Sequence, residues 1–403
     1  MAKPGEGDSM IDSIIVHYSE IGLKGKNRKY FENTLTRNIR HALGPQAKSI
    51  QRQHGRILCR PAESADPQQL RSVLKRIPGI AHFSMGMAAG TDLDAIGERT
   101  VELVRDRPFS TFGVKTKRSD KSYPLTSGQV SAEIGAHILK VLDKKVDLTD
   151  PDLWVHIELS RNEAIIYPEK IQGPGGLPVG TSGKVLASLS GGLDSPVAAS
   201  MMMKRGCRVA FVHIRNETQF AGDAVEKIEN LVEQLTSIQL RSKLYIVPFG
   251  ELQRAIIAFV PAKERMIVYR RFMMRILNSI AERENAKAFV TGDSVGQVAS
   301  QTLDNLLCIQ AAARKPVLSP LVGLNKDEII DIAQQIGTYE HSILPYPDCC
   351  SFMIAPHPDT RGDLAEIERY EETMEGTDAL LEACVNQAEI RTFKPLDGRK
   401  QSG

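Results

Sequence analysis

Along the second half of the chain, short apolar runs of strand length alternate with stretches of helical period. Strands are expected at 185–189, 208–214, 243–248 and 287–292, and helices at 196–205, 222–237, 262–283 and 326–336. Near-continuous apolar strands alternating with helices predict a parallel sheet covered on both faces. The first half mixes its periods. It reads as a strand at 11–17 and a helix at 30–43, with Phe31, Leu35, Ile39 and Leu43 at steps of four. A strand pair at 47–60, a helix at 67–76 and a strand at 79–89 follow. Next come a helix at 92–107 carrying Leu93, Ile96, Val101 and Val104, a strand at 112–119, a helix at 126–143 and a strand from Leu153. This half predicts a compact α+β unit ending near residue 170. The glycine- and proline-rich stretch 172–183 marks the boundary with the parallel-sheet unit.

Ligands of open parallel sheets bind beyond the carboxyl ends of the strands. The first strand of the second half, Val185–Leu189, runs into Ser190, Gly191, Gly192, Leu193, Asp194 and Ser195, then into a helical run. Small residues let a strand turn sharply and let backbone N–H groups face an anion. Ser195 is expected to cap the helix, with Pro196 in its first position. The stretch is not the common P-loop. Pro178 stands where the first glycine of that motif belongs, and Val185 where the hydroxyl belongs. The form S-G-G-x-D-S resembles instead the PP-loop of ATP pyrophosphatases, which split ATP into AMP and pyrophosphate. Two further strand ends are candidates, His213-Ile214 and Thr291-Gly292-Asp293. Beyond the latter, Gly296, Gln297, Ser300 and Gln301 offer backbone approach and hydrogen bonds to a flat base.

Other residues carry charge or nucleophilic chemistry. Arg270, Arg271 and Arg275 lie on one predicted helix, and arginine offers bidentate contacts to phosphate. Asn325 and Glu328 have capping-box spacing, which places Lys326 in a first helical turn where the dipole disfavours a cation. Cys349 and Cys350 follow P-Y-P-D in a proline-punctuated loop, where a thiol can act as a nucleophile if a nearby cation lowers its pKa. Cys59, Cys207, Cys308 and Cys384 are isolated and form no C-x-x-C pair, so a zinc or iron–sulfur site is not expected. His17, His41, His82 and His137 lie singly on predicted elements and read as structural or surface residues.

Charge changes the picture of the first half. The net charge is only +2. Residues 1–60, however, carry 11 Lys/Arg against 5 Asp/Glu, and residues 351–403 carry 6 against 11. Lys24, Lys26, Arg28 and Lys29 crowd around Gly22 and Gly25, and Lys115, Lys117 and Arg118 are expected to face mostly outward from one strand. Cations beside exposed backbone suit phosphate contacts, so the partner is expected to be an anionic macromolecule. The chain has no apolar run long enough to span a bilayer, and residues 1–10 lack the apolar core of a signal peptide. A cytoplasmic protein without membrane contact is expected.

Y-S-E-I-G-L-K-G-K-N-R, F-G-V-K-T-K-R and G-P-G-G-L-P-V-G, taken in order with the PP-loop, resemble the tRNA 4-thiouridine synthetase family over nearly the whole chain. The resemblance implies three domains. These are an N-terminal ferredoxin-like domain (1–75), a THUMP RNA-binding domain (76–172) and a doubly wound PP-loop ATP pyrophosphatase domain (173–403). It implies ATP contacts from Ser188, Leu189, Ser190, Gly191, Gly192, Asp194, Ser195, His213, Ile214, Arg270, Gly292 and Gln301. Asp194 is the carboxylate expected to position Mg²⁺ or the nucleotide. Lys326 matches a lysine tied to adenylation. The family handles sulfur on a cysteine of the 349–350 loop; an ungapped register from Lys326 favours Cys349 and a one-residue gap favours Cys350. Lys24, Lys26, Arg28, Lys29, Lys115, Lys117 and Arg118 are the expected tRNA contacts. The implied reaction adenylates uridine 8 of tRNA and replaces its C4 oxygen by sulfur.

Some family members carry a C-terminal rhodanese domain, but only 53 residues follow Cys350, fewer than such a domain needs. A cysteine desulfurase, another persulfide donor or sulfide is therefore expected to supply the sulfur, and the protein is expected to be a homodimer. A second family role, sulfur supply for the thiamine thiazole, depends on the rhodanese domain in the members where it is best understood. Two other functions fit parts of the pattern: a PP-loop ligase or synthetase acting on another substrate, and a tRNA-binding protein without catalysis.

Overall fold

The computed structural model describes residues 11–53, 55–216, 222–345 and 358–395, with 222–224 described in backbone only. Cys349 and Cys350 lie outside the described residues. The chain divides into two compact units, 1–177 and 178–403. Among the described residues, no helix is long and apolar enough to cross a membrane.

The first unit runs β1 (Ser13–His17), α1 (Arg28–Leu43), β2 (Ala47–Gln53), β3 (Arg56–Pro61), α2 (Pro67–Leu74), β4 (His82–Ala89) and α3 (Leu93–Val104). It continues with β5 (Thr111–Arg118), α4 (Ser127–Val141), β6 (Lys145–Val146), β7 (Leu153–Leu159), β8 (Ala164–Tyr167) and β9 (Ile171–Gln172). The strands form one sheet in the order β2-β3-β1-β4-β8-β7-β5-β6, with β9 also on β4. β4 joins the two halves of this sheet. Its first residues pair with β1 (His17 opposite His82) and its last with β8 (Met87 opposite Ile166). At the crossover only glycine fits, because a Cβ on Gly86 would lie 1.9 Å from the Ile166 carbonyl oxygen. Helices α1 and α2 cover a core of Ile14, Val16, Leu35, Ile39 and Leu74, and α3 and α4 cover another of Ile96, Val101, Val114, Ile134 and Val155. The apolar periods read from sequence are the residues that fill these cores.

The second unit runs β10 (Lys184–Ser188), α5 (Asp194–Lys204), β11 (Arg208–Arg215), α6 (Gly222–Gln239), β12 (Ser242–Pro248), α7 (Gly250–Phe259), α8 (Arg265–Glu284), β13 (Phe289–Val290) and α9 (Leu303–Gln310). Then follow β14 (Val317–Leu318), α10 (Lys326–Ile336), α11 (Tyr339–Ser342), α12 (Leu364–Glu372), α13 (Thr377–Asn386) and β15 (Glu389–Phe393). The sheet order is β14-β13-β10-β11-β12-β15. Its first five strands are parallel, and β15 adds an antiparallel edge. Successive residues of β10 serve opposite cores. Val185 and Ala187 pack in the core that also holds Val197, Ile228 and Ile329, while Leu186 packs with Tyr269, Phe272 and Ile276. This double burial explains the continuous apolar runs of the sequence.

The strand expected at 287–292 is a two-residue ladder. Its flanks still bond singly, Lys287 N–H to the Lys184 carbonyl and Thr291 N–H to the Leu318 carbonyl. β10 has β11 on one side and β13 on the other, so the loop after β10 opens at the point where strand order reverses.

Candidate functional site

The loop between β10 and α5 closes on its own serines. The Ser190 N–H donates to Ser195 Oγ at 2.9 Å, the two hydroxyl oxygens lie 3.1 Å apart, and Gly192 N–H donates to Ser190 Oγ at 3.3 Å. The structure corrects the capping expectation. α5 begins at Asp194 after Leu193 and has no side-chain cap, so Ser195 sits inside the first turn and its hydroxyl turns back to the loop. The uncapped amides of this turn remain available to an anion. Gly292 packs directly beneath. A Cβ there would lie 2.8 Å from the Ser195 nitrogen, so a side chain would displace the turn. Behind the loop, buried His213 on β11 places Nδ1 2.9 Å from the Leu189 carbonyl oxygen, and Ile214 is core.

Three side chains distant in sequence meet at the mouth of this loop. Asp194 accepts from Lys326 Nζ at 2.7 Å through one oxygen and from Gln297 Nε2 at 2.9 Å through the other. Lys326 opens α10 behind the expected capping box, in which Asn325 Oδ1 accepts from Glu328 N–H at 3.0 Å and Glu328 accepts from Asn325 N–H at 2.9 Å. Asp194 thus offsets the poor fit of a cation at a helix N-terminus.

Beside them Arg270 holds Asp293 through two bonds of 2.6 and 2.8 Å and donates to the Ser300 carbonyl at 3.3 Å. Gln301 Nε2 donates to the same carboxylate at 3.3 Å, and its Oε1 is buried without a partner. An orphaned amide oxygen here is an acceptor for the exocyclic amine of a base. In the sequence Asp293 stands out only as part of a strand end. Its role as the anchor of Arg270 depends on a contact spanning 23 residues that no local pattern signals.

Arg271 and Arg275 depart from the phosphate expectation. Arg271 binds Glu371 at 2.8 and 2.9 Å and the Cys308 carbonyl at 2.6 Å, and Arg275 joins Glu371 at 2.5 Å. They brace α8 against α12. Cys59, Cys207, Cys308 and Cys384 are all buried. Burial pushes the Cys59 thiol up to about 12 and the Cys384 thiol up to about 11, which suits inert core thiols. Among the described residues no cluster of His, Cys, Asp and Glu is placed to hold a metal. Asp194 is a single, partly exposed carboxylate. This fits a Mg²⁺ ion carried mainly by phosphate oxygens and water.

In the first unit Lys26 and Lys29 are exposed, while Lys24 lies 5.3 Å from the Phe31 ring centroid. Arg28 is engaged with Glu32 at 2.8 Å and Tyr18 at 3.2 Å. On β5, Lys115 and Lys117 are exposed, and the Lys115 ammonium lies 3.3 Å from the Trp154 ring centroid. Arg118 points to the other face and donates to the Tyr123 and Leu125 carbonyls, latching the following turn.

His17 and His82 are not single residues, as the sequence had suggested. Their rings stack at 4.7 Å, because strand register sets them opposite each other. Nε2 of His17 lies 2.8 Å from Glu158 Oε1, and Arg56 binds the other carboxylate oxygen at 2.8 Å. Burial would raise the Glu158 pKa, but His17 and Arg56 hold it down at about 2. Lys115, Lys117, His156 and Lys170 join this cluster around a cavity of about 240 Å³. The result is a cationic, aromatic-lined hollow suited to a phosphate-bearing chain.

Sheet topology and loop chemistry place the second unit in the PP-loop class of nucleotide-binding α/β domains. Family models agree along the chain. ThiI ferredoxin-like domain matches residues 13–84, THUMP domain matches 90–169, and Thiamine biosynthesis protein (ThiI) matches 180–375. A probable tRNA sulfurtransferase of Caldanaerobacter subterraneus subsp. tengcongensis is 41% identical over 91% of this chain and 96% of its own. One from Brevibacillus brevis is 41% identical over 96% of this chain and 98% of its own. A crystal structure of a 4-thiouridine synthetase–RNA complex with bound ATP superposes with a TM-score of 0.88 at 37% identity, covering 95% of this chain and all of that one. The chain belongs to the tRNA sulfurtransferase (ThiI) family.

Proposed function

We propose that the protein is an ATP-dependent tRNA sulfurtransferase that converts uridine 8 of tRNA to 4-thiouridine. The observation that carries this reading is the meeting of Lys326 and Gln297 on Asp194 at the open end of the serine–glycine loop. A lysine so placed can neutralise charge as the α–β phosphate bond breaks. Loop amides 190–195 cradle the phosphates. Gln301, held with Arg270 on Asp293, receives the base. The uridine O4 attacks the α-phosphorus, pyrophosphate leaves, and C4 now carries AMP as a good leaving group. Asp194 would hold Mg²⁺ on the phosphates, where its charge lowers the cost of pyrophosphate departure.

In the second step a persulfide sulfur borne by Cys349 or Cys350 attacks C4, and AMP leaves with the former O4. A second thiol then attacks the cysteine sulfur of the C4–S–S–Cys adduct. That S–S bond breaks, 4-thiouridine is released, and a disulfide remains for a cellular thiol to reduce. A cysteine desulfurase or another persulfide carrier charges the cysteine, and the protein works in the cytoplasm as a homodimer. The ferredoxin-like and THUMP matches over residues 13–84 and 90–169 support this reading, with residues 1–172 holding tRNA through Lys24, Lys26, Lys29, Lys115 and Lys117. Residues 173–403 carry the chemistry. The test supplies unmodified tRNA, Mg-ATP and a desulfurase charged with cysteine, and measures pyrophosphate and 4-thiouridine. Both should form with the wild type, and 4-thiouridine should fall with Cys349→Ser or Cys350→Ser. Absence of both products from wild type would overturn the reading.

A further inference from the structure

Asp293 is only 4% exposed and lies one residue beyond Gly292, whose backbone packs against the Ser195 nitrogen beneath the serine–glycine loop. A single peptide therefore fixes its place relative to that loop. Arg270 holds the carboxylate through both oxygens, at 2.6 Å to Oδ1 and 2.8 Å to Oδ2. Oδ1 also accepts from Gln301 Nε2 at 3.3 Å.

A carboxylate only accepts, so it decides which end of the Gln301 amide faces it. The amide nitrogen turns to Asp293, and Oε1 turns away and is buried without a partner. The backbone of the turn is closed as well. Gln301 N–H donates to the Val298 carbonyl at 2.8 Å, and Gly296 N–H donates to the Gln301 carbonyl at 3.0 Å. A buried acceptor without a protein donor is costly, and a ligand N–H removes that cost. Adenine carries an amine at position 6, whereas hypoxanthine and guanine carry an oxygen there. An amide oxygen held toward that position accepts from adenine and opposes the other two. An amide free to turn over would donate to the 6-oxygen instead, and the preference would be lost.

We propose that Asp293 is a positioning residue that sets base selection. By locking the Gln301 amide with its oxygen toward the ligand, it makes the site take an adenine nucleotide in preference to a 6-oxopurine nucleotide. The inference deepens the nucleotide reading above and rests on it. Asp293 touches no part of the nucleotide and acts through Gln301.

The experiment uses the full chain with Mg²⁺ and no tRNA, so that nucleotides bind without transfer. Calorimetry gives Kd for ATP, inosine triphosphate and 2′-deoxy-ATP. The proteins are wild type, Asp293→Ala, Asp293→Asn, Gln301→Met and the double variant of Asp293→Ala with Gln301→Met. Wild type should bind ATP at least about 10-fold tighter than inosine triphosphate. Asp293→Ala and Gln301→Met should each cut that ratio at least about 5-fold. Loss of the Arg270 anchor weakens both nucleotides alike, so a merely structural Asp293 would leave the ratio unmoved. Asp293→Asn, which can hold the Gln301 amide either way round, should fall between and carries the test where the alanine variant does not fold. The double variant should match Gln301→Met. A wild type without preference, an unmoved ratio in Gln301→Met or in the folded Asp293 variants, or a further change in the double variant overturns the inference. So does a shift confined to ATP against 2′-deoxy-ATP, which would put Gln301 on the ribose. Wild type that shows the expected ratios, yet forms neither pyrophosphate nor 4-thiouridine with tRNA, Mg-ATP and a charged desulfurase, supports the inference and overturns the thiolation reading instead.

Discussion

Lys326→Met separates a catalytic lysine from a structural one. In the folded protein its ammonium pairs with Asp194 at 2.7 Å, and the two side chains are 49% and 20% exposed. A pair so open to water contributes about 0–1 kcal/mol to stability. Each kcal/mol shifts the melting midpoint of a domain of this size by about 2–4 °C. Lys326→Met should therefore melt within about 4 °C of wild type. Adenylation is a different matter. Removing one charge-stabilising donor from a transition state costs about 2.7–4 kcal/mol, or 10²–10³ in rate. Pyrophosphate release at saturating tRNA and Mg-ATP should fall by that factor. The same measurement on Asp194→Asn and on the double variant reports their coupling, because residues in contact lose activity non-additively. A loss below about 10-fold in a normally folded Lys326→Met would refute transition-state neutralisation by this residue. A collapse of the melting midpoint would show that the lysine holds α10 in place.

Two further outcomes follow from charge placement. Arg271→Met should lower stability by about 1.5–3 kcal/mol, because it removes two charge-assisted bonds from Glu371 and leaves that carboxylate to Arg275 alone. ATP binding by the folded fraction, measured by calorimetry, should stay near wild type, since Arg271 turns away from the nucleotide loop. Acid should unfold the first unit through Glu158. Its folded pKa lies near 2, below the ordinary 4.5, so its contribution is complete above about pH 4.5 and disappears as pH falls toward 2. The shift corresponds to stability on the order of 3 kcal/mol, and chemical denaturation of Glu158→Gln should show a flatter dependence across that window. An unchanged slope would refute the His17–Glu158–Arg56 account.

What could be read from the chain alone depended on how local the physics was. Apolar periodicity found the strands of the parallel sheet because both faces are buried, and the S-G-G-L-D-S turn declared itself because small residues concentrate where backbone must face a ligand. The capping box at Asn325 was equally local and held in detail. Errors came where side-chain direction is set by a distant partner. Arg270 and Arg271 are neighbours in sequence, yet one helical step separates a guanidinium beside the nucleotide loop from one committed to Glu371. His17 and His82 looked solitary because strand register, not spacing, sets them ring to ring. Lys227 and Asn305 gave no signal at all. A buried lysine on an amphipathic helix and an asparagine after a threonine cap are ordinary in composition, and their partners are backbone carbonyls and an amide, which have no residue identity to match. The serine–glycine loop was therefore legible as a motif. The side chains that anchor Ser342, Leu344, Asp359 and Gly362 could be found only from the fold, because their specificity lies in position rather than in chemical type.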